Sequence, residues 1–339
     1  MVKLMKSRLQ ELFQSFERKK IAVVGDLMID QYFWGTVRRI SPEAPVPVVE
    51  VNSESTRLGG AANVANNVLS LGGEPLLVGL IGDDHQGHQL TSILKEEGLS
   101  DGGIVVDGSR PTTIKTRVIA HDQHVVRVDS ESKNQCSEAM AGRILDSLRK
   151  NIQTLDAIIL EDYNKGVLSK KVIHDVITLA QEHNVIVTVD PKVFNFLEYK
   201  NVTVFKPNRA EVEEAMGTRL ATLDDVVRAG TKLRDELDAD NVLLTRGDKG
   251  MSLFESSGEI SHFGNVAKTV HDVSGAGDTV IATMTLALAS GATVREAAAL
   301  ANYAAGVVVG FVGIVPIERE QLMTAVLQHD SSETIAARA

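Results

Sequence analysis

Short, almost wholly apolar runs alternate along this chain with longer segments whose apolar positions recur three and four residues apart. Residues 21–26, 75–81, 156–160, 185–189, 203–205 and 241–245 read as buried strands, with one more at 251–255. Between them the spacing predicts helices from the Gly59–Gly60 pair to about Leu71, and over 86–97, 137–150, 169–183, 208–216 and 223–237. Two strongly apolar helices, 279–290 and 294–309, follow the last strand. Strands separated by helices imply a mostly parallel central sheet covered on both faces, an α/β fold. At the N-terminus, Leu9, Leu12, Phe13 and Phe16 have helical spacing, so residues 1–20 are expected to form an amphipathic helix packed on the rest.

Two stretches break the alternation. Pro42, Pro45 and Pro47 exclude a helix or a central strand over 40–51, but suit an edge strand or an extended flap. Residues 112–119 and 125–129 alternate, and His121–Gln123 can turn between them, which reads as an antiparallel hairpin. Lys115 and Arg117 fall on one face of it. Strands near 34–51 and 112–130 would then form a small β-sheet lid on one domain spanning 21–328. Residues 329–339 are polar and are expected to be a flexible tail.

With 43% hydrophobic and 24% charged residues in 339, the chain can bury a large core. A net charge of −10, with no block of Lys or Arg, makes nucleic acid and anionic membrane poor partners. Cys136 is the only cysteine, so neither an internal disulfide nor a thiolate metal cluster can form. No apolar run approaches the ~20 residues of a membrane span. The N-terminus lacks a signal peptide's apolar core, and Glu11 and Glu17 argue against a transit peptide. Cytoplasm is the expected location.

Candidate chemistry centres on Asp272-Val-Ser-Gly-Ala-Gly-Asp278, directly before the helix at 279–290. Ser274 is the expected N-cap and Gly291 the C-terminal stop. Gly275, Ala276 and Gly277 would lie in the first turn, where small residues and free N–H groups favour an anion. Asp278 beside an anion site is out of place unless it accepts a proton; the alternative is a glycine-rich turn with a capping Asp. Ligands of open parallel sheets bind beyond the carboxyl ends of the strands. Asp26, Asp162, Asp190 with Lys192, Asn208 with Glu211, and 245–250 all fall at such ends. Asn208 and Glu211 could hold Mg²⁺-bound water or could form a cap. No GxxxxGK[ST] or GxGxxG occurs. His85-Gln-Gly-His88 matches an HxGH string, but fits a polar entry to a helix better.

Taken together, Gly59–Ala65 with Gly79, Gly82, Asp84 and Gly87 resembles the first signature of the PfkB (ribokinase-like) carbohydrate kinase family. Residues 272–278 resemble its second signature, and Asn208 with Glu211 is similar to its NxxE motif. The resemblance spans about residues 20 to 327. It implies a ribokinase-like fold, ATP and Mg²⁺ as cofactors, and Asp278 as the base for the acceptor hydroxyl. It further implies that the Gly275, Ala276, Gly277 and Asp278 amides form an anion hole. Asn208, Arg209, Ala210 and Glu211 would organise Mg·ATP, with Asn208 and Glu211 reaching the metal through water. Thr245, Gly247 and Gly250 would lie along the nucleotide and Asn302 near the adenine. Asp26, Asp30, Gly59, Gly60 and Asn63 would bind the sugar. The segments 24–30, 39–49, 189–192 and 272–280 resemble a branch acting on the anomeric hydroxyl of a seven-carbon sugar phosphate. Arg117, Lys165 and Lys192 are the candidates for that phosphate. In many bacteria this kinase is fused to an adenylyltransferase, and the resemblance here covers the kinase half alone. A monovalent cation near Asp272 is open from the family, and an exposed apolar lid face suggests a homodimer through the lid.

Overall fold

The computed structural model describes residues 4–121 and 123–336. Helix α1 (Lys6–Phe16) buries Leu9, Leu12, Phe13 and Phe16, and β1 (Lys20–Gly25) enters the core behind it. The chain then leaves the core as a long antiparallel hairpin, β2 (Leu27–Ile40) and β3 (Pro47–Gly60). It returns through α2 (Ala61–Ser70), β4 (Glu74–Ile81), α3 (His85–Glu96) and β5 (Ile104–Val106). A second excursion, β6 (Thr113–Ala120) and β7 (Gln123–Ser130), precedes α4 (Glu138–Asn151). Next come β8 (Ala157–Glu161), α5 (Lys170–Glu182), β9 (Ile186–Asp190), β10 (Val204–Phe205), α6 (Arg209–Met216) and α7 (Leu223–Leu237). The last elements are β11 (Asn241–Thr245), β12 (Met251–Glu255), β13 (Ile260–Phe263), α8 (Ala276–Ala289), α9 (Val294–Val308) and α10 (Arg319–Ala336).

Nine strands form the main sheet in the order β13, β12, β11, β10, β9, β8, β1, β4, β5. Its pairings are parallel apart from β11–β12 and β12–β13, so β12 alone runs in the opposite direction. Alternate residues of one strand feed opposite faces: Ile21 and Val23 join one apolar core, Ala22 and Val24 the other. Helices α1, α2, α8 and α9 cover the first face, and α4, α5 and α7 the second. Both faces are sealed, so the polar strand ends on one edge are where a ligand can reach. The separate four-stranded sheet, β3-β2-β6-β7, stands above that edge as a lid.

The proline segment agrees with the expected edge strand or flap: Pro42 and Pro45 sit at the hairpin tip between β2 and β3, and Pro47 opens the edge strand β3. The structure departs from the sequence expectations in three places. Leu27–Asp30, between the expected strand at 21–26 and the expected lid strands near 34–51, is already the start of β2, with Leu27, Met28 and Ile29 all buried where the hairpin leaves the core. Ser274 does not cap α8: Gly275 does, in the left-handed region at φ +77°, and Ser274 instead donates its N–H to Asp272. Residues 329–336 continue α10, and 337–339 lie outside the described residues, as do 1–3 and Asp122 at the β6–β7 turn.

Candidate active site

Asp278 is the centre of the polar edge. It is 2% exposed, and its carboxylate accepts the Nδ2 proton of Asn63 at 2.7 Å and the hydroxyl of Tyr163 at 2.8 Å. Burial pushes its pKa up to about 6; the two donors and Lys206 pull it down, and Asp190 adds to the rise. A carboxylate tuned in this way is ionised at neutral pH, yet takes a proton more readily than a solvated one. Asn63 reaches it because Gly60, at φ +57°, lets α2 start where β3 ends; a Cβ there would lie 2.4 Å from the Asp26 carbonyl oxygen. Asn67 and Thr279 continue the polar contact between α2 and α8. Ala276, Gly277 and Asp278 form the first turn of α8, where N–H groups lack intrahelical carbonyl partners and favour an anion.

Three residues at this edge had no motif around them in the sequence. Glu161, at the end of β8, is fully buried, and neither carboxylate oxygen has a hydrogen-bond partner among the described residues. Together with Asp190 and Asp278 it offers oxygens that all lie within 4.8 Å of one another. Burial, then Asp190 and Asp278, hold its pKa well above the carboxylate range. Lys206 neutralises Asp190 at 2.7 Å. Tyr163 joins the loop after β8 to Asp278, and its ring carries the ammonium of Lys115 at 4.6 Å and of Lys192 at 5.2 Å. The legible trace of Glu161 was a carboxylate ending an otherwise apolar strand, Ala157-Ile-Ile-Leu-Glu161.

The acceptor-side candidates divide into scaffold and site. Asp26 accepts the N–H groups of Tyr163, Lys165 and Val167 at 2.8, 3.0 and 3.1 Å. It therefore shapes the loop after β8. Asp162 is similarly engaged by the Tyr199 hydroxyl at 2.7 Å, and burial pushes its pKa up to about 7. Asp30 forms an ion pair with Arg117, whose guanidinium also lies 5.2 Å from the Tyr32 ring centroid. Gly59 makes room for that pair, since a Cβ would fall 2.0 Å from the Asp30 carboxylate. Lys165 pairs with Glu131 at 2.6 Å. Lys192 pairs with Glu211, which brings it to the side of the NxxE segment.

On the other flank, a cavity of about 260 Å³ is lined by Thr245, Gly247, Gly250 and Asn302, and also by Ala276 and Gly277 of the α8 turn. Four of the expected nucleotide residues thus share one cavity with the anion site. Asn302 donates to the Gly264 carbonyl at 2.8 Å. Asn208 and Glu211 form a complete capping box on α6, with bonds of 2.9 and 2.8 Å. Arg209 pairs with Glu213 at 3.0 Å, away from that cavity, and Ala210 lies in the first turn of α6. The His85–His88 string is the first turn of α3, with both histidines exposed and Gly87 buried, and Asp84 is the cap and also accepts from Thr112.

A buried, raised-pKa carboxylate at a helix N-terminus, between an anion-ready cavity and a lid, is the apparatus of phosphoryl transfer to an alcohol. The sequence matches the pfkB family carbohydrate kinases over residues 18–317, and the chain belongs to that family. Among curated relatives, the bifunctional protein HldE of Helicobacter pylori strain J99 is 43% identical over 304 residues, 90% of this chain. HldE of Paramagnetospirillum magneticum is 41% identical over 324 residues, 96% of this chain. The chain spans 65% and 66% of those two relatives' lengths. The fold is also that of Arabidopsis thaliana ribokinase solved with ribose and ATP, at TM-score 0.73, 20% identity, and 91% and 98% of the two chains. Escherichia coli phosphofructokinase-2 solved with potassium aligns at TM-score 0.75, 18% identity, and 93% and 99% of the two chains. No helix among the described residues is long and apolar enough to cross a membrane.

Proposed function

We propose that this carbohydrate kinase transfers the γ-phosphoryl group of ATP to the anomeric hydroxyl of D-glycero-β-D-manno-heptose 7-phosphate. The product, the 1,7-bisphosphate, would lead toward the ADP-heptose of the lipopolysaccharide inner core. The observation that carries the chemistry is Asp278, buried and doubly hydrogen-bonded at the first turn of α8. The identity to HldE proteins supports the acceptor.

In this reading the acceptor hydroxyl lies against Asp278, which takes its proton as the oxygen attacks phosphorus in line. Asn63 and Tyr163 hold the carboxylate in place by donating to it, and the first-turn amides of α8 receive the charge that develops on the phosphoryl oxygens. ATP occupies the cavity between Gly247, Gly250 and Asn302. The lid, carrying Asp30 and Arg117, closes on the sugar and excludes water. Mg²⁺ requires oxygen donors, and Glu161 beside Asp190 supplies them, with Asn208 and Glu211 acting through water because the cap and Lys192 already engage them. When bound, it would neutralise the phosphates. A second copy of the chain would cover the lid, since all eight residues of the edge strand β7 are exposed, Val126 and Val128 among them. Soluble phosphorylated reactants place the reaction in the cytoplasm.

The test is ATP turnover with Mg²⁺ against heptose 7-phosphate, fructose 6-phosphate, sedoheptulose 7-phosphate, ribose and adenosine. Clear preference for heptose 7-phosphate is the expected result. Preference for ribose or adenosine would remove the heptose assignment, and no turnover with any acceptor would leave a sugar- and nucleotide-binding sensor.

A further inference from the structure

Lys115 was noticed in the sequence only as the neighbour of Arg117, and none of the chemistry described so far uses it. In the lid, β2 and β6 run parallel with Asp30 opposite Lys115 and Tyr32 opposite Arg117. Residues paired across adjacent strands share a face. Asp30 and Tyr32 are 2% and 1% exposed, so this face is the one turned in toward the main sheet. Lys115 is half-buried there, with its ammonium 4.6 Å from the centroid of the Tyr163 ring. The same ring's hydroxyl donates to Asp278. Lys115 and the base are therefore joined through a single side chain.

Cations gather around this point, and all but one have an anion. Arg117 has Asp30, Lys165 has Glu131, and Lys192 has Glu211. Lys115 makes no ion pair among the described residues; its ammonium lies over the Tyr163 ring, and Asp129 is its cross-strand neighbour on β7. Burial lowers its pKa, and the charges of Lys165 and Arg117 lower it further against the pull of Asp30 and Asp129. An ammonium half withdrawn from water, beside like charges and with those two carboxylates beyond ion-pair reach, is only partly compensated. A dianionic ligand reverses that balance.

We infer that Lys115 is a specificity-determining residue that binds the phosphate monoester of the acceptor. Arg117 and Lys165, already neutralised, support it from either side of the charge balance, and Lys192 serves the nucleotide flank through Glu211. The inference rests on the kinase reading above and deepens it: the lid selects a sugar that is already phosphorylated, and Lys115 is what reads that phosphate.

The experiment compares heptose 7-phosphate with the unphosphorylated heptose in wild type, Lys115→Met and Lys115→Arg. Steady-state kinetics would be joined by calorimetric binding of heptose 7-phosphate to the nucleotide-free protein. Loss of one charge-assisted contact should raise KM and Kd for the phosphorylated sugar roughly 10- to 100-fold in Lys115→Met. The constants for ATP and for the unphosphorylated heptose should stay put, and Lys115→Arg should recover most of the loss. Equal losses with both sugars would overturn the inference and make Lys115 a support for Tyr163. So would unchanged constants with both. A wild type that prefers fructose 6-phosphate would overturn the heptose assignment alone, and the same variants tested with that sugar would still decide the role of Lys115.

Discussion

Asn63 donates its side-chain amide to Asp278 at 2.7 Å across 215 residues of sequence, which ties the first turn of α2 to the first turn of α8. The contact joins the two signature segments into one device, because each signature alone leaves its polar residue without the partner that orients it. Replacing Asp278 by Asn keeps the shape and removes the proton acceptor. Asp278→Asn should lower kcat by roughly 10²–10⁴. ATP affinity, measured by calorimetry, should change little; near-normal turnover would take Asp278 out of the chemistry.

The pH dependence follows from the same residue. With a pKa of about 6, Asp278 must be ionised to accept a proton, so kcat/KM for the acceptor should climb between pH 5 and 7 with its midpoint near 6. Tyr163 stabilises the ionised form by donating to it. Tyr163→Phe should therefore shift the acidic limb to higher pH as well as reduce the rate. A limb that stays in place would show that another group controls it.

Glu161 bears on stability. Its carboxyl is buried without a hydrogen-bond partner among the described residues, and its pKa in the folded chain is raised. A raised carboxyl favours the fold below its unfolded pKa and loses that contribution as pH rises toward its folded value. Glu161→Gln has no such charge to bury. Without divalent cation, the variant's Tm should exceed the wild type's, and the gap should widen from pH 5 to 8. Added Mg²⁺ should raise the wild-type Tm more than the variant's. A gap that narrows with pH would contradict this account.

Gly275 caps α8 at φ +77°, and a Cβ on it would come within 3.1 Å of the Asn63 amide and 3.3 Å of Ile314. The left-handed conformation costs an L-residue about 1–2 kcal/mol. Gly275→Ala should lower the melting temperature. By pushing Asn63 off Asp278 it should also reduce kcat more than it raises KM for ATP.

The lid offers a test of assembly. Val126 and Val128 are 48% and 55% exposed on the edge strand β7. Charge on an apolar edge opposes pairing. Val128→Glu should shift sedimentation from dimer to monomer while leaving ATP binding intact, and a monomeric wild type would remove the lid contact.

Much of this was legible in the chain because the strands of the main sheet are buried on both faces and read as continuous apolar runs. The α8 turn was legible because its glycines and aspartate stand before an apolar helix in a chain whose other polar residues gather at the strand ends. Other parts were hidden for physical reasons. The first half of β2 has no clean alternation, since Leu27, Met28 and Ile29 are all buried, and so no strand pattern marks it. Ser274 looked like a cap because serine usually is one, but the left-handed Gly275 took that position. Tyr163, Lys206 and Lys115 are single residues whose meaning lies in what the fold sets beside them. No spacing along the chain announces a ring between an ammonium and a carboxylate.

The β2–β3 hairpin begins just after Asp26 and ends at Gly60, with Asp30 on its outgoing strand and Gly59 on its return. Both of its roots are thus embedded in the reaction centre: Asp26 shapes the loop bearing Tyr163, and Gly60 launches the helix bearing Asn63. The hairpin is consequently a poor candidate for modular exchange. Grafting the hairpin of a kinase with another sugar preference onto this chain would reset the partners of Asp278 along with the acceptor pocket. A change of acceptor in this chain is better sought by single replacements on the inward face of the hairpin that leave its roots as they are.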